Sequence, residues 1–67
     1  MGMLKQYMLV LQERCSDHLY GQMAIEWAVL NGIVKLSGDM ESDIRTVMLN
    51  YDNIIECYKQ GVAATSF

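Results

Sequence analysis

Apolar side chains recur every three or four residues through the first half of the chain. This spacing places them along one stripe of a helix, whereas a strand would need an alternation that is missing here. The chain contains no proline that would force a break in the pattern. We therefore predict a first helix over about residues 3–31. The stripe consists of Leu4, Met8, Leu11, Cys15, Leu19, Met23, Trp27 and Leu30.

Two weak points lie inside this predicted helix, at Ser16-Asp17 and at Gly21. A glycine in a helix interior costs about 1 kcal/mol relative to alanine. A break near Gly21 would give three helices in all, with Asp17 capping the second. One long helix is favoured because the stripe stays in phase across Gly21.

The dipeptide Asn31-Gly32 marks the end of the first pattern. A glycine just after a helix supplies the left-handed conformation of a C-terminal cap. The same dipeptide between apolar residues is also a β-hairpin signal. We favour the cap, because residues 22–30 match helical spacing better than strand spacing.

A second helix is predicted over about residues 40–60, after a loop that ends at Asp39. Asp39, Glu41 and Asp43 lie at its start, where the helix dipole favours carboxylates, and we interpret them as exposed capping residues. Gly61 is predicted to end this helix, and residues 62–67 to form a short tail. The apolar stripe of this helix consists of Ile44, Met48, Tyr51, Ile55 and Tyr58.

Two helical stripes joined by a short connection predict an all-α antiparallel hairpin that forms one domain over residues 1–67. In this hairpin Trp27 should be largely buried against Ile44 and Met48. The longer first helix leaves an apolar overhang before Leu11. Hydrophobic residues make up 52% of the chain, more than two helices can bury. We therefore expect two hairpins to associate as a dimeric four-helix bundle.

The residues expected at this self-interface or at a partner interface are apolar or aromatic. Aromatic side chains dominate interface energetics, and a two-helix unit has little interior to hold them. The predicted interface residues are Leu4, Tyr7, Met8, Leu11, Tyr20, Met23, Trp27, Met48, Tyr51, Ile55 and Tyr58.

Charge and composition narrow the class of protein. The net charge is −3, and the five basic residues are scattered, which argues against nucleic acid or an anionic membrane surface as the partner. No apolar run approaches the ~20 residues of a membrane span, and the N-terminus does not resemble a signal peptide. Two cysteines are too few for a disulfide-built secreted scaffold. These features predict a cytoplasmic protein.

Reaction chemistry has one candidate cluster, formed by Cys15, His18 and Cys57. A structural zinc site needs four ligands, and a buried cysteine is more often a small core residue. A Cys-His nucleophile would also need an orienting group and an oxyanion site, and the sequence marks neither. We therefore predict no metal, no cofactor and no enzymatic activity.

The function expected from these features is protein–protein interaction by a homodimeric regulator, inhibitor or adaptor. The predicted hairpin is similar in architecture to small helical dimers of viruses and plasmids, which is a likeness of fold and identifies no family. One alternative is a helix-turn-helix DNA-binding regulator within residues 22–45. The acidic start of its second helix would repel phosphates. A structural assembly subunit is the second alternative.

Overall fold

The computed structural model describes the backbone of residues 2–65 and the side chains of residues 6–61. Over residues 2–65 it is all-helical, which confirms the predicted class. The predicted hairpin of two or three helices is wrong in helix count, because each of the two predicted helices is divided. The helices are α1 (Gly2–Cys15), α2 (Leu19–Leu30), α3 (Met40–Leu49) and α4 (Tyr51–Thr65).

The first division falls at residues 16–18, the first of the two weak points. The Ser16 hydroxyl accepts from the His18 backbone N–H (3.2 Å) and donates to the His18 carbonyl (3.3 Å). Such local bonds compete with the helical hydrogen bonds of the backbone. His18, not Asp17, occupies the N-cap position of α2, with an extended backbone (φ −101°, ψ 137°). Gly21 lies inside α2, so the helix does not break there.

The end of α2 is the predicted glycine cap. Gly32 has φ 74°, in the left-handed region, and the Ile33 N–H donates to the Ala28 carbonyl (2.8 Å). Val34 then folds back into the core. The hairpin alternative is wrong, because residues 2–65 contain no strand.

The second division falls at Asn50. Its side-chain amide donates to the Thr46 carbonyl (2.8 Å), while its own carbonyl accepts from the Ile54 N–H (2.8 Å). One residue therefore ends α3 and begins α4. The helix α4 continues through Gly61 to Thr65, so Gly61 does not end it. Of the predicted tail, residues 66 and 67 lie outside the described residues.

The core is built by all the helices of a single chain. The helix α1 contacts α2 and α3, and α4 contacts the same two helices. Each helix supplies a fully buried aliphatic side chain: Leu11, Ile25, Val47 and Ile54. One chain thus forms the four-helix core that the sequence led us to expect from a dimer.

The packing of α2 on α4 differs from the predicted antiparallel hairpin. Tyr51 approaches Gly21 near the start of both helices, and Trp27 meets Tyr58 and Gly61 further along both. The contacts advance in the same direction, so α2 and α4 run roughly parallel. Trp27 is half-buried on α4, and its predicted burial against Ile44 and Met48 of α3 is wrong.

Candidate interaction surface

The apolar stripe of the first half is buried in α1 but exposed in α2. Met8 and Leu11 belong to the core, whereas Leu19 is 70% exposed, Met23 47% and Leu30 75%. The turn at residues 16–18 separates the two halves of the stripe, so they have different surroundings. We call Leu19, Met23 and Leu30 the outer face of α2. The buried residues of α2 lie on its opposite side and are Gly21, Ala24, Ile25 and Ala28.

The composition of α2 is that of a helix covered on both sides. Glu26 is its only charged residue. A helix that is hydrophobic all round is normally buried, whereas a helix at the surface keeps a polar side. The helix α4 has such a side, formed by the exposed residues Asp52, Asn53, Glu56, Lys59 and Gln60. The outer face of α2 therefore needs an explanation that the solvent-facing side of α4 does not.

Aromatic rings border the outer face of α2 on the side of α4. Tyr58 makes edge-to-face contacts with Tyr20 (centroids 5.3 Å apart) and with Trp27 (5.7 Å). The Trp27 ring also lies against Gly61, where there is no side chain to displace it. Edge-to-face pairs add roughly 0.5–1.5 kcal/mol beyond area burial, so these rings form a fixed border.

The structure divides the predicted interface residues into groups with different surroundings. Met8 and Leu11 are buried within the chain, and Leu4 lies outside the described side chains. Five are half-buried against the core: Tyr7, Trp27, Tyr51, Ile55 and Tyr58. The exposed ones are Tyr20, Met23 and Met48.

Sequence reasoning missed Leu19, Leu30 and Leu49 as exposed apolar residues. Leu19 and Leu30 belong to the stripe, which we had assigned to the core. The signal that could have corrected this lies on the other side of α2. Small residues follow one another there at helical spacing, and they allow neighbouring helices to approach closely. These residues are Gly21, Ala24 and Ala28.

A second cluster surrounds Asp43, which is 1% exposed. Its carboxylate accepts from the Tyr7 hydroxyl, from the Ser37 backbone N–H (2.8 Å) and hydroxyl (2.9 Å), and from the Gly38 N–H (3.2 Å). The expectation that Asp43 is an exposed capping residue is therefore wrong. Asp39 does cap α3, accepting from the Ser42 N–H (3.3 Å).

The electrostatics of this cluster favour a structural role. Burial alone would raise the pKa of Asp43, but the hydrogen bonds from Tyr7, Ser37 and Gly38 outweigh it and lower the pKa. The hydrogen bond to Asp43 in turn raises the pKa of Tyr7 to about 12. At neutral pH a charged carboxylate thus holds a neutral phenol. This pair joins α1 to the start of α3.

The candidate metal ligands do not form a cluster. Cys15 is half-buried, and burial raises the pKa of its thiol. His18 is exposed in the turn before α2, and the Cys57 thiol is directed at the Asn53 side-chain oxygen (3.9 Å). Within the described part of the chain, no group of three or more His, Cys, Asp or Glu side chains could hold a metal ion.

The helix connections bear on the DNA-binding alternative. Helix-turn-helix motifs join their helices through a turn of about 3–4 residues, whereas residues 31–39 connect α2 to α3. The shorter connection, residues 16–18, leads into α2. That helix has no lysine or arginine with which to approach phosphates.

Comparisons with known proteins add no family to this description. No protein-family model matches the sequence, and no match was found among curated proteins or solved structures. No helix in the described residues is both long enough and apolar enough to cross a membrane. The outer face of α2 is therefore interpreted from its own chemistry.

Proposed function

We propose that this is a non-enzymatic cytoplasmic protein that acts by protein–protein interaction, as a homodimeric regulator, inhibitor or adaptor. One observation carries the proposal. Leu19 and Leu30 are among the most exposed side chains of a helix that is apolar on both sides. Covering a leucine side chain is worth about 1.5–3 kcal/mol. A protein partner that covers this face recovers that free energy.

The polar groups of the core support a non-enzymatic role. The carboxylate of Asp43 is held by four hydrogen bonds from Tyr7, Ser37 and Gly38. The Ser16 hydroxyl is engaged with the His18 backbone and lies 3.4 Å from the Tyr51 hydroxyl. Both groups stabilise the fold through these bonds.

Sedimentation velocity tests the proposal with a matched pair of variants. Leu30→Lys places a charge on the outer face of α2, and Gln60→Lys places the same charge on the polar side of α4. We expect the parent and Gln60→Lys to be dimers at micromolar concentration and Leu30→Lys to be monomeric. Far-UV circular dichroism should remain unchanged in both variants, because each replaced residue is exposed.

Three results would contradict the proposal. The homodimer is wrong if the parent sediments as a monomer across the micromolar range. Large assemblies that persist in Leu30→Lys would favour a structural subunit. Binding to duplex DNA that weakens steeply with salt would favour the helix-turn-helix alternative, because such binding releases counterions.

A further inference from the structure

We propose that the outer face of α2 is covered by the same face of a second copy, with the two α2 helices antiparallel about a two-fold axis. This inference rests on the proposed function, which makes the face a protein-binding surface. It adds the identity of the occupant and the direction in which that occupant lies.

The exposed area matches what a dimer needs. The protein exposes 4919 Å², whereas a folded monomer of 7.6 kDa should expose about 4300 Å². The excess of about 600 Å² equals one partner's share of a small specific interface, which buries about 1200 Å² in total. A second copy of this chain would bring the same excess and cover both.

The outer face of α2 is also complementary to itself when reversed. Leu19 and Leu30 lie at opposite ends of the helix, about 16 Å apart along its axis at ~1.5 Å per residue. An antiparallel pair places Leu19 against Leu30 of the second copy. The same alignment places Met23 near Trp27 of the second copy. Each contact then occurs twice, as a two-fold interface requires.

The single charge on α2 distinguishes the two possible directions. Glu26 is exposed beside the outer face. In a parallel pair the two Glu26 carboxylates would lie at the same height and repel each other. In the antiparallel pair Glu26 lies near Gln22 of the second copy, whose amide can donate to it. The Gln22 amide nitrogen carries two N–H groups, and its bond to the Ser16 carbonyl (2.9 Å) uses one of them.

The helix dipoles favour the same direction. Each helix carries a partial positive charge at its N-terminus and a partial negative charge at its C-terminus. Antiparallel α2 helices bring opposite ends together, whereas parallel helices bring like ends together. The remaining occupant with apolar chemistry, an anionic membrane, is disfavoured by the net charge of −3.

Cysteine cross-linking tests the direction. The background is the full chain carrying Cys15→Ala and Cys57→Ser, into which Leu19→Cys or Leu30→Cys is introduced. A short bis-maleimide is the reagent, because helices packed about 8–10 Å apart can exceed the ~7 Å Cα separation that a disulfide tolerates. We expect a covalent dimer when the Leu19→Cys and Leu30→Cys proteins are mixed. Either protein alone should give little, because its two cysteines lie about 16 Å apart.

Two further variants calibrate the experiment. Met23→Cys lies near the proposed two-fold axis, about 4.5 Å along the helix from its counterpart, and should cross-link with itself. Gln60→Cys lies on the polar side of α4 and should not cross-link in any mixture. Both positions are exposed, so neither substitution disturbs the core.

The outcomes separate the inference from the proposed function. Efficient cross-linking of Leu19→Cys with itself would show a parallel pair and overturn the antiparallel arrangement. A dimer in sedimentation with no cross-link at Leu19, Met23 or Leu30 would place the interface on another face. A monomer in sedimentation would remove the homodimer itself, and the face would then belong to a different protein.

Discussion

Asp39 and Asp43 occupy the same acidic segment, yet the structure uses them in different ways. Asp39 caps α3 through a bond to a residue three positions later, so the local sequence was enough to predict it. Asp43 is buried by Tyr7, which lies 36 residues away in the chain, and by the loop at residues 37 and 38. A local pattern contains no information about such a distant partner, and the sequence therefore predicted an exposed carboxylate.

The first prediction concerns the Tyr7–Asp43 pair at high pH. The pKa of Tyr7 is raised from 10.0 to about 12 in the folded protein. Its contribution to stability is therefore complete below pH 10 and is lost as the pH rises through about 12. We expect the free energy of unfolding of the parent, measured with urea, to fall over this interval. Tyr7→Phe should be less stable at neutral pH and should lose less on going to high pH.

The comparison between these two proteins isolates Tyr7, because the remaining tyrosines are common to both. A parallel loss of stability in the parent and in Tyr7→Phe would contradict the assignment. The acid side provides an independent check. Because the pKa of Asp43 is lowered, its contribution is present above its ordinary value of 3.8 and is lost as the pH falls through the lower folded value. Asp43→Asn should remove that part of the acid dependence.

At the scale of the helices, the spacing of apolar residues predicted the secondary structure but not the side that is buried. The stripe continues across residues 16–18 because its period is the same in α1 and α2. The core instead uses the small side of α2, where Gly21, Ala24 and Ala28 allow close helix approach. Periodicity alone cannot distinguish a stripe that faces the core from one that faces a partner.

The ends of the helices were predictable where one residue type has a special conformation. Gly32 adopts φ 74° and ends α2 as expected, since glycine reaches this region without strain. Asn50 was not predicted to end α3, because asparagine is tolerated within a helix and the apolar spacing continues past it. Its side-chain bond to the Thr46 carbonyl, visible only in the structure, accompanies the break.

The second prediction concerns Gly21, which lies where α1, α2 and α4 meet. A Cβ at this position would overlap the Ser16 and Tyr51 hydroxyls. Overpacking of this kind costs typically 1–3 kcal/mol, more than the ~1 kcal/mol that alanine gains in helix propensity. We expect Gly21→Ala to lower the free energy of unfolding by about 1 kcal/mol, measured by urea denaturation.

A double-mutant cycle with Tyr51→Phe checks the cause of this loss. Removing the Tyr51 hydroxyl relieves one of the two overlaps, so Gly21→Ala should cost less in the Tyr51→Phe background. The Ser16 overlap remains in both backgrounds, and a smaller cost should therefore persist. An increase in stability from Gly21→Ala in the parent would show that helix propensity outweighs packing at this site.

For the whole molecule, the hydrophobic content of 52% predicted more apolar surface than one chain could bury. Four helices bury more of it than the expected two would, and Met8 and Leu11 of the predicted overhang lie in the core. Exposed apolar surface nevertheless remains on α2. The argument for association therefore keeps its force while the surface moves from α1 to α2. Composition supports this conclusion without depending on the helix count.

The last prediction is that thermal stability depends on protein concentration. A dimer that binds only folded chains adds stability by mass action, and a tenfold increase in concentration adds about 1.4 kcal/mol per dimer. For a dimer of this size, we expect Tm to rise by roughly 3–5 °C for each tenfold increase. Leu30→Lys, which places a charge on the outer face of α2, should have a Tm that does not change with concentration, while Gln60→Lys should follow the parent. A parent Tm independent of concentration, measured by circular dichroism from low to high micromolar protein, would mean that the outer face of α2 contributes nothing through self-association.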